Sequence, residues 1–273
     1  MSLVQTAERL ALKYLPPRVT TKLQELKQRL PLRLVQAHPI VQMYINDEFT
    51  RSFVGMHNFY SALMSDVESP ASARLRFYSP NGKLVAKHSV SIPHFAARAV
   101  DVKQILDGSF TQAPYGVVTV QITPWFTRRR AYREFGQFSA HFFMFFRDRT
   151  RGSVEQTHPL STADPNSVPC DAFVSSQVIS TAKLEQLVAY QYNPTARSHT
   201  LEHALVDLAT GEKVATSSMT LPPMGSGRST FVMKDLGQVP TMLSFCVDAL
   251  PSGNAKPMLR RVFASGHHSM SHA

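Results

Sequence analysis

Cysteine is nearly missing from the 273-residue chain: Cys170 lies in a polar loop and Cys246 inside an apolar run. Two thiols make neither a disulfide framework nor a zinc site, so a cytoplasmic protein with no bound metal is expected. Long hydrophobic runs are missing as well. The longest strongly apolar stretch, Phe138 to Phe146, is interrupted by Ser139 and His141 and falls far short of the roughly 20 residues that cross a bilayer as a helix. At the N-terminus, Glu8, Arg9 and Lys13 break the only signal-like stretch. Charge is scarce, at 18% of residues, and lopsided, with 29 Lys and Arg against 19 Asp and Glu. The net +10 favours association with anionic partners such as nucleic acid, acidic glycan or lipid headgroups, and carries no information about the fold.

Catalytic and cofactor signatures are absent too. No phosphate-binding glycine loop, nucleophile elbow or cysteine-histidine motif occurs, and Gly225-Ser226-Gly227 lacks the Lys-Ser or Lys-Thr that completes a P-loop. No cofactor is implied. No RNP, helix-turn-helix, KH or zinc-finger pattern assigns a named nucleic-acid module.

Helical spacing is confined to the start of the chain. Leu3, Ala7, Leu10 and Tyr14 form one stripe that ends at Pro16-Pro17, and Leu23, Leu26 and Leu30 form a second that ends at Pro31. These faces predict a short helical segment over residues 1–31 that packs on the body of the protein or on a second subunit, so a homo-oligomer is expected. A membrane surface is the less favoured support, because the stripe lacks an interfacial tryptophan. From about residue 53 the period changes to two, punctuated by Gly, Pro, Asn and Asp, which predicts strands and turns. Ala73, Leu75 and Phe77 alternate with polar neighbours, Pro80-Asn81-Gly82 supplies a turn, and Leu84 to Ile92 returns. His88 lies on the apolar side of that return and is expected in the core.

This hairpin recurs. The twelve residues Gly82 to Pro93 align without a gap on Gly211 to Pro222, with five identities. Tyr115 to Pro124 then matches Thr241 to Pro251, Arg133-Glu134-Phe135 matches Arg261-Val262-Phe263, and Gly136 to His141 matches Gly266 to His272. The ordered matches predict a mainly β protein built as a tandem duplicated antiparallel β-sandwich of immunoglobulin-like size. The expected units are 32–152 and 172–273, joined by the proline-rich stretch 153–171.

Two sets of residues carry functional expectations. Arg128, Arg129, Arg130 and Arg133, with Arg261 as the repeat partner of Arg133, lie among Trp125, Phe126, Tyr132 and Phe135. Arg147, Arg149 and Arg151 alternate along what reads as one strand face. Guanidinium groups grip phosphate, sulfate or carboxylate, and interleaved rings stack on bases or sugars. This set predicts a non-catalytic binding or assembly protein for an anionic polymer, glycan or lipid headgroup. The alternative set is His141 and His272 with Ser139 and Ser271, which would make an acid-base site between the two units of an enzyme acting on a small or carbohydrate-like substrate. No carboxylate is tied to them by any motif. The spacings His199 to His203 and His268 to His272 suit zinc only on a helix, and both fall where strands are expected.

Overall fold

The structure is a computed structural model that describes residues 39–63, 68–107, 114–124, 142–159, 161–237 and 239–273, together with Pro16 and Val19. The expected helices over 1–31 lie outside the described residues. The remainder is mainly β. Strands β1 (Ile40–Ile45), β2 (Thr50–His57), β3 (Ala71–Tyr78), β4 (Leu84–Ile92), β5 (Ala97–Asp101), β6 (Tyr115–Pro124), β7 (Phe142–Asp148), β8 (Val154–Thr157) and β9 (Ser161–Thr162) build the first unit. Short helices α1 (Phe59–Leu63) and α2 (Val102–Ile105) interrupt them. The second unit holds β10 (Phe173–Val174), β11 (Ile179–Ser180), β12 (Leu184–Tyr192), β13 (His199–Asp207), β14 (Lys213–Leu221), β15 (Ser226–Val232), β16 (Met242–Val247), β17 (Met258–Phe263) and β18 (His268–His272).

Each unit is a sandwich of two antiparallel sheets whose inward side chains make the core. In the first, the sheets run β4-β3-β6-β1-β9 and β5-β2-β7-β8; in the second, β14-β13-β16-β10, with β11 also on β16, faces β15-β12-β17-β18. Strands β2 to β8 and β12 to β18 follow the same sheet order, whereas β9 has no counterpart in the second unit and both β10 and β11 pair with β16. Gly82 and Gly211 hold positive φ (79° and 76°) in the equivalent β3–β4 and β13–β14 turns. After each return strand the chain turns through a non-glycine residue of positive φ, Phe95 or Met224. A buried asparagine ties that turn to the strand before it. Asn58 Nδ2 donates to the carbonyls of Ser69 (2.6 Å) and Pro93 (3.2 Å), and Asn193 Nδ2 to those of Arg197 (2.7 Å) and Pro222 (3.1 Å). Carbonyls that leave a sheet in the interior need such donors.

Several sequence expectations change. Residues 153–171 are not a free connector, because β8 pairs with β7 and β9 with β1 and both complete the first sandwich. β17 occupies the place of β7, and β18 that of β8. By strand register from Asn58 and Asn193, Arg261 corresponds to Phe146 and His272 to His158, whereas Arg133 and His141, their expected partners, lie outside the described residues. Short apolar strands resemble one another in sequence, so matched spacings alone do not fix their register. His88 is exposed rather than core, since β4 is an edge strand that buries only Ile92. Arg149 and Arg151 leave the strand: the Asp148 carboxylate accepts the N–H groups of Thr150 (2.7 Å) and Arg151 (3.1 Å) and turns the chain after Arg147.

The two sandwiches share a packed seam. The outward face of β12, β17 and β18 presents Val188, Tyr190, Tyr192, Met258 and Met270, and all of these join the core of the first unit. Arg260 lies in their midst with its side chain 4% exposed and pairs with Asp47, 13% exposed, in the β1–β2 turn of the first unit. Its guanidinium stands 5.5 Å from the ring centroids of Phe49 and Tyr190. Nearby, Ser226 N–H donates to Pro80 O at 2.9 Å. A Cβ on Gly82 would come within 2.1 Å of Pro223 O, so only glycine fits that contact. Removing one partner of a buried ion pair typically costs about 3–5 kcal/mol. Arg260→Met is expected to lose that much in denaturant unfolding, and adding Asp47→Asn to recover most of it. A single variant of wild-type stability would show that the pair does not hold the seam.

Candidate functional site

The seam uses one outer sheet face of the second unit. The same face of the first unit, on β5-β2-β7-β8, has a different surface. Strand alternation buries Ser52, Val54 and Met56 of β2 and Phe142, Met144 and Phe146 of β7, and turns Arg51, Phe53, Gly55, Phe143, Phe145 and Arg147 outward. Phe53 faces Phe145, and Gly55 faces Phe143, across the central strand pair, with Arg51 opposite Arg147 at one end. Phe143 and Phe145 have ring centroids 6.5 Å apart. The missing side chain at Gly55 makes room for the Phe145 ring, which a Cβ there would meet at 2.4 Å. On the β5 side, Ala97 and Ala99 are small and exposed.

Arginines gather at the β1–β2 end of this face. Arg51, Arg147 and Arg149 line a shallow cleft of about 250 Å³. Arg51 is anchored: it makes a two-pronged ion pair with Asp101, which raises its pKa mainly through that hydrogen bond, and lies 5.5 Å from the Phe53 centroid. Asp101 in turn caps α2 by accepting the Lys103 N–H at 3.0 Å. Arg147 and Arg149 are exposed.

Of the residues singled out in the sequence, Trp125, Arg128, Arg129, Arg130, Tyr132, Arg133, Ser139 and His141 lie outside the described residues. Arg261 does not present its guanidinium openly. It donates to Ser271 Oγ (3.0 Å) and Gln177 Oε1 (2.6 Å), and burial lowers its pKa despite the nearby Glu155. Ser271 also donates to Gln177 (2.9 Å), so it serves the same network. His272 packs edge-on to His158 at 6.2 Å, and its pKa is lowered, first by burial and then by His158. Arg261, Ser271 and His272 therefore cluster beside the seam, where the Met270 N–H is held by the Glu155 carboxylate. The pairs His199 with His203 and His268 with His272 both lie on strands, and among the described residues no group of three or more His, Cys, Asp or Glu is arranged to hold a metal. No described helix is long and apolar enough to cross a membrane.

No protein-family model matches the chain, and no curated protein does. Among solved structures it is similar to a putative beta-galactosidase from Bacteroides fragilis, at 12% identity over 86% of this chain and 32% of that one, with a TM-score of 0.17. A calcium-binding mutant of Bacteroides uniformis beta-glucuronidase 2 matches at 10% identity over 85% and 26%, with a TM-score of 0.18. A beta-glucuronidase from glycoside hydrolase family 2 matches at 11% over 87% and 24%, with a TM-score of 0.17. The chain spans a third or less of these proteins' length, and likeness at such scores carries no argument about its activity.

Among the described residues His203 is the most strongly shifted histidine, and it has a structural role. It is fully buried on β13, its Nδ1 lies 3.0 Å from Ser229 Oγ, and its ring stands edge-on to Phe245. Burial pushes its pKa down to about 4 from 6.5. The unfolded chain therefore takes up a proton before the fold does, so stability is full above pH 6.5 and falls as pH drops towards 4, by about 3 kcal/mol in all. The stability lost between pH 7 and pH 4 is expected to be smaller in His203→Gln than in the wild type by about that amount. Parallel pH profiles would mean that His203 is not held neutral.

Proposed function

We propose that this chain is a non-catalytic binding and assembly protein, two tandem copies of one sandwich unit, that takes up an anionic partner on the outer β5-β2-β7-β8 face. The observation that carries the reading is the row Phe53, Phe143 and Phe145 with Arg51 and Arg147 on one sheet face, and Arg149 beside them in the turn that follows β7. Rings supply contact area at low entropic cost, and Arg147, exposed beside the Arg51–Asp101 pair, supplies a bidentate donor to phosphate, sulfate or carboxylate. The excess of positive charge adds long-range attraction. Arg128, Arg129, Arg130 and Arg133 remain part of the proposal as a further basic group, and a homo-oligomer of the cytoplasm remains the assembly expected. The acid-base alternative has less support, because His272 and Ser271 are engaged in packing and hydrogen bonds beside the seam.

Retention on immobilised heparin tests the reading. The wild type is expected to elute at a salt concentration that falls markedly in the variant carrying Arg147→Ala and Arg149→Ala, since each lost contact removes about one released counterion. If retention falls only in the Arg128, Arg129, Arg130 and Arg133 quadruple alanine variant, the binding face lies there instead. Absence of retention at low salt would refute anionic binding altogether.

A further inference from the structure

Resting on that assignment of the face, we propose that its ligand is single-stranded nucleic acid. Two properties of the face select it. The first is the arrangement of rings. Phe53, Phe143 and Phe145 project from the two central strands of a four-stranded antiparallel sheet, the placement from which an open sheet stacks unpaired bases. The 6.5 Å between the Phe143 and Phe145 centroids is well above the rise of about 3.4 Å between stacked nucleotides of a duplex strand. Neighbouring bases reach both rings only when they are splayed apart, which excludes a duplex. Gly55 lets the Phe145 ring lie over the strand, and exposed Ala97 and Ala99 leave the adjoining edge strand without bulk.

The second property is the position of charge. Arg51, Arg147 and Arg149 stand at one end of the ring row rather than among the rings. A ligand filling the whole face must be anionic where it meets the arginines and offer flat faces that pack on the rings beyond them, which the π-face of a base does most strongly. Nucleotides combine both in each repeat, and base-aromatic stacking tolerates any sequence. A sulfated glycan has the charge without a π-face.

Fluorescence anisotropy with a short labelled oligouridine, and heparin affinity measured beside it, test the proposal. Phe143→Ala and Phe145→Ala are expected to weaken oligouridine binding by about tenfold each while leaving heparin affinity within about twofold. Phe145→Leu, which preserves apolar packing over Gly55, is expected to behave as Phe145→Ala does. Arg147→Ala is expected to weaken both ligands and flatten the salt dependence of each. Oligouridine binding that ignores the ring variants, or an annealed duplex that binds as tightly as the single strand, would overturn the single-strand proposal while leaving anionic binding intact. Binding to neither ligand would overturn both.

Discussion

The ion pair between Arg260 and Asp47 is the constraint around which the two sandwiches are arranged. Both charges are nearly dry, and a charge removed from water is tolerated only where its partner and neighbours are fixed. The partner is fixed locally, because Asp47 spends its other oxygen on the N–H groups of Phe49 (3.0 Å) and Thr50 (2.8 Å), which sets the β1–β2 turn. The neighbours are fixed by the fold, with Phe49 from one unit and Tyr190 from the other within reach of the guanidinium. The pair thus defines how one unit sits on the other.

That arrangement separates the fates of two equivalent surfaces. In the second unit the outer face of the four-stranded sheet is buried with Met258, Arg260 and Met270 against the first unit. In the first unit the same strands turn three phenylalanines and Arg147 outward, and none of the four is fully buried. One sheet architecture is thereby buried in the seam at one end and leaves a half-buried aromatic face at the other.

Local patterns were legible in the sequence. The β3–β4 and β13–β14 hairpins follow from alternation and from glycines at positions that require positive φ, all within a few residues of one another. The aromatic face was harder to see, because Phe142 to Phe146 is apolar on both sides and alternation leaves no mark when inward and outward residues are equally hydrophobic. No local pattern marks Arg260: it and Arg261 are adjacent, yet they point to opposite faces of β17, one into the seam with Asp47 and the other to Gln177 and Ser271.

By itself the sequence determined the class of structure, strands rather than helices beyond the first segment, and the turns that punctuate them, since these depend on side-chain period and on backbone freedom at single residues. Only the tertiary structure decided which histidines meet, which arginines are neutralised and which aromatic side chains stay half-buried on an outer sheet face. Those outcomes depend on register across sheets and on contact between residues as distant as Asp47 and Arg260. Such partners are brought together by the packing of whole units, and no local spacing encodes it.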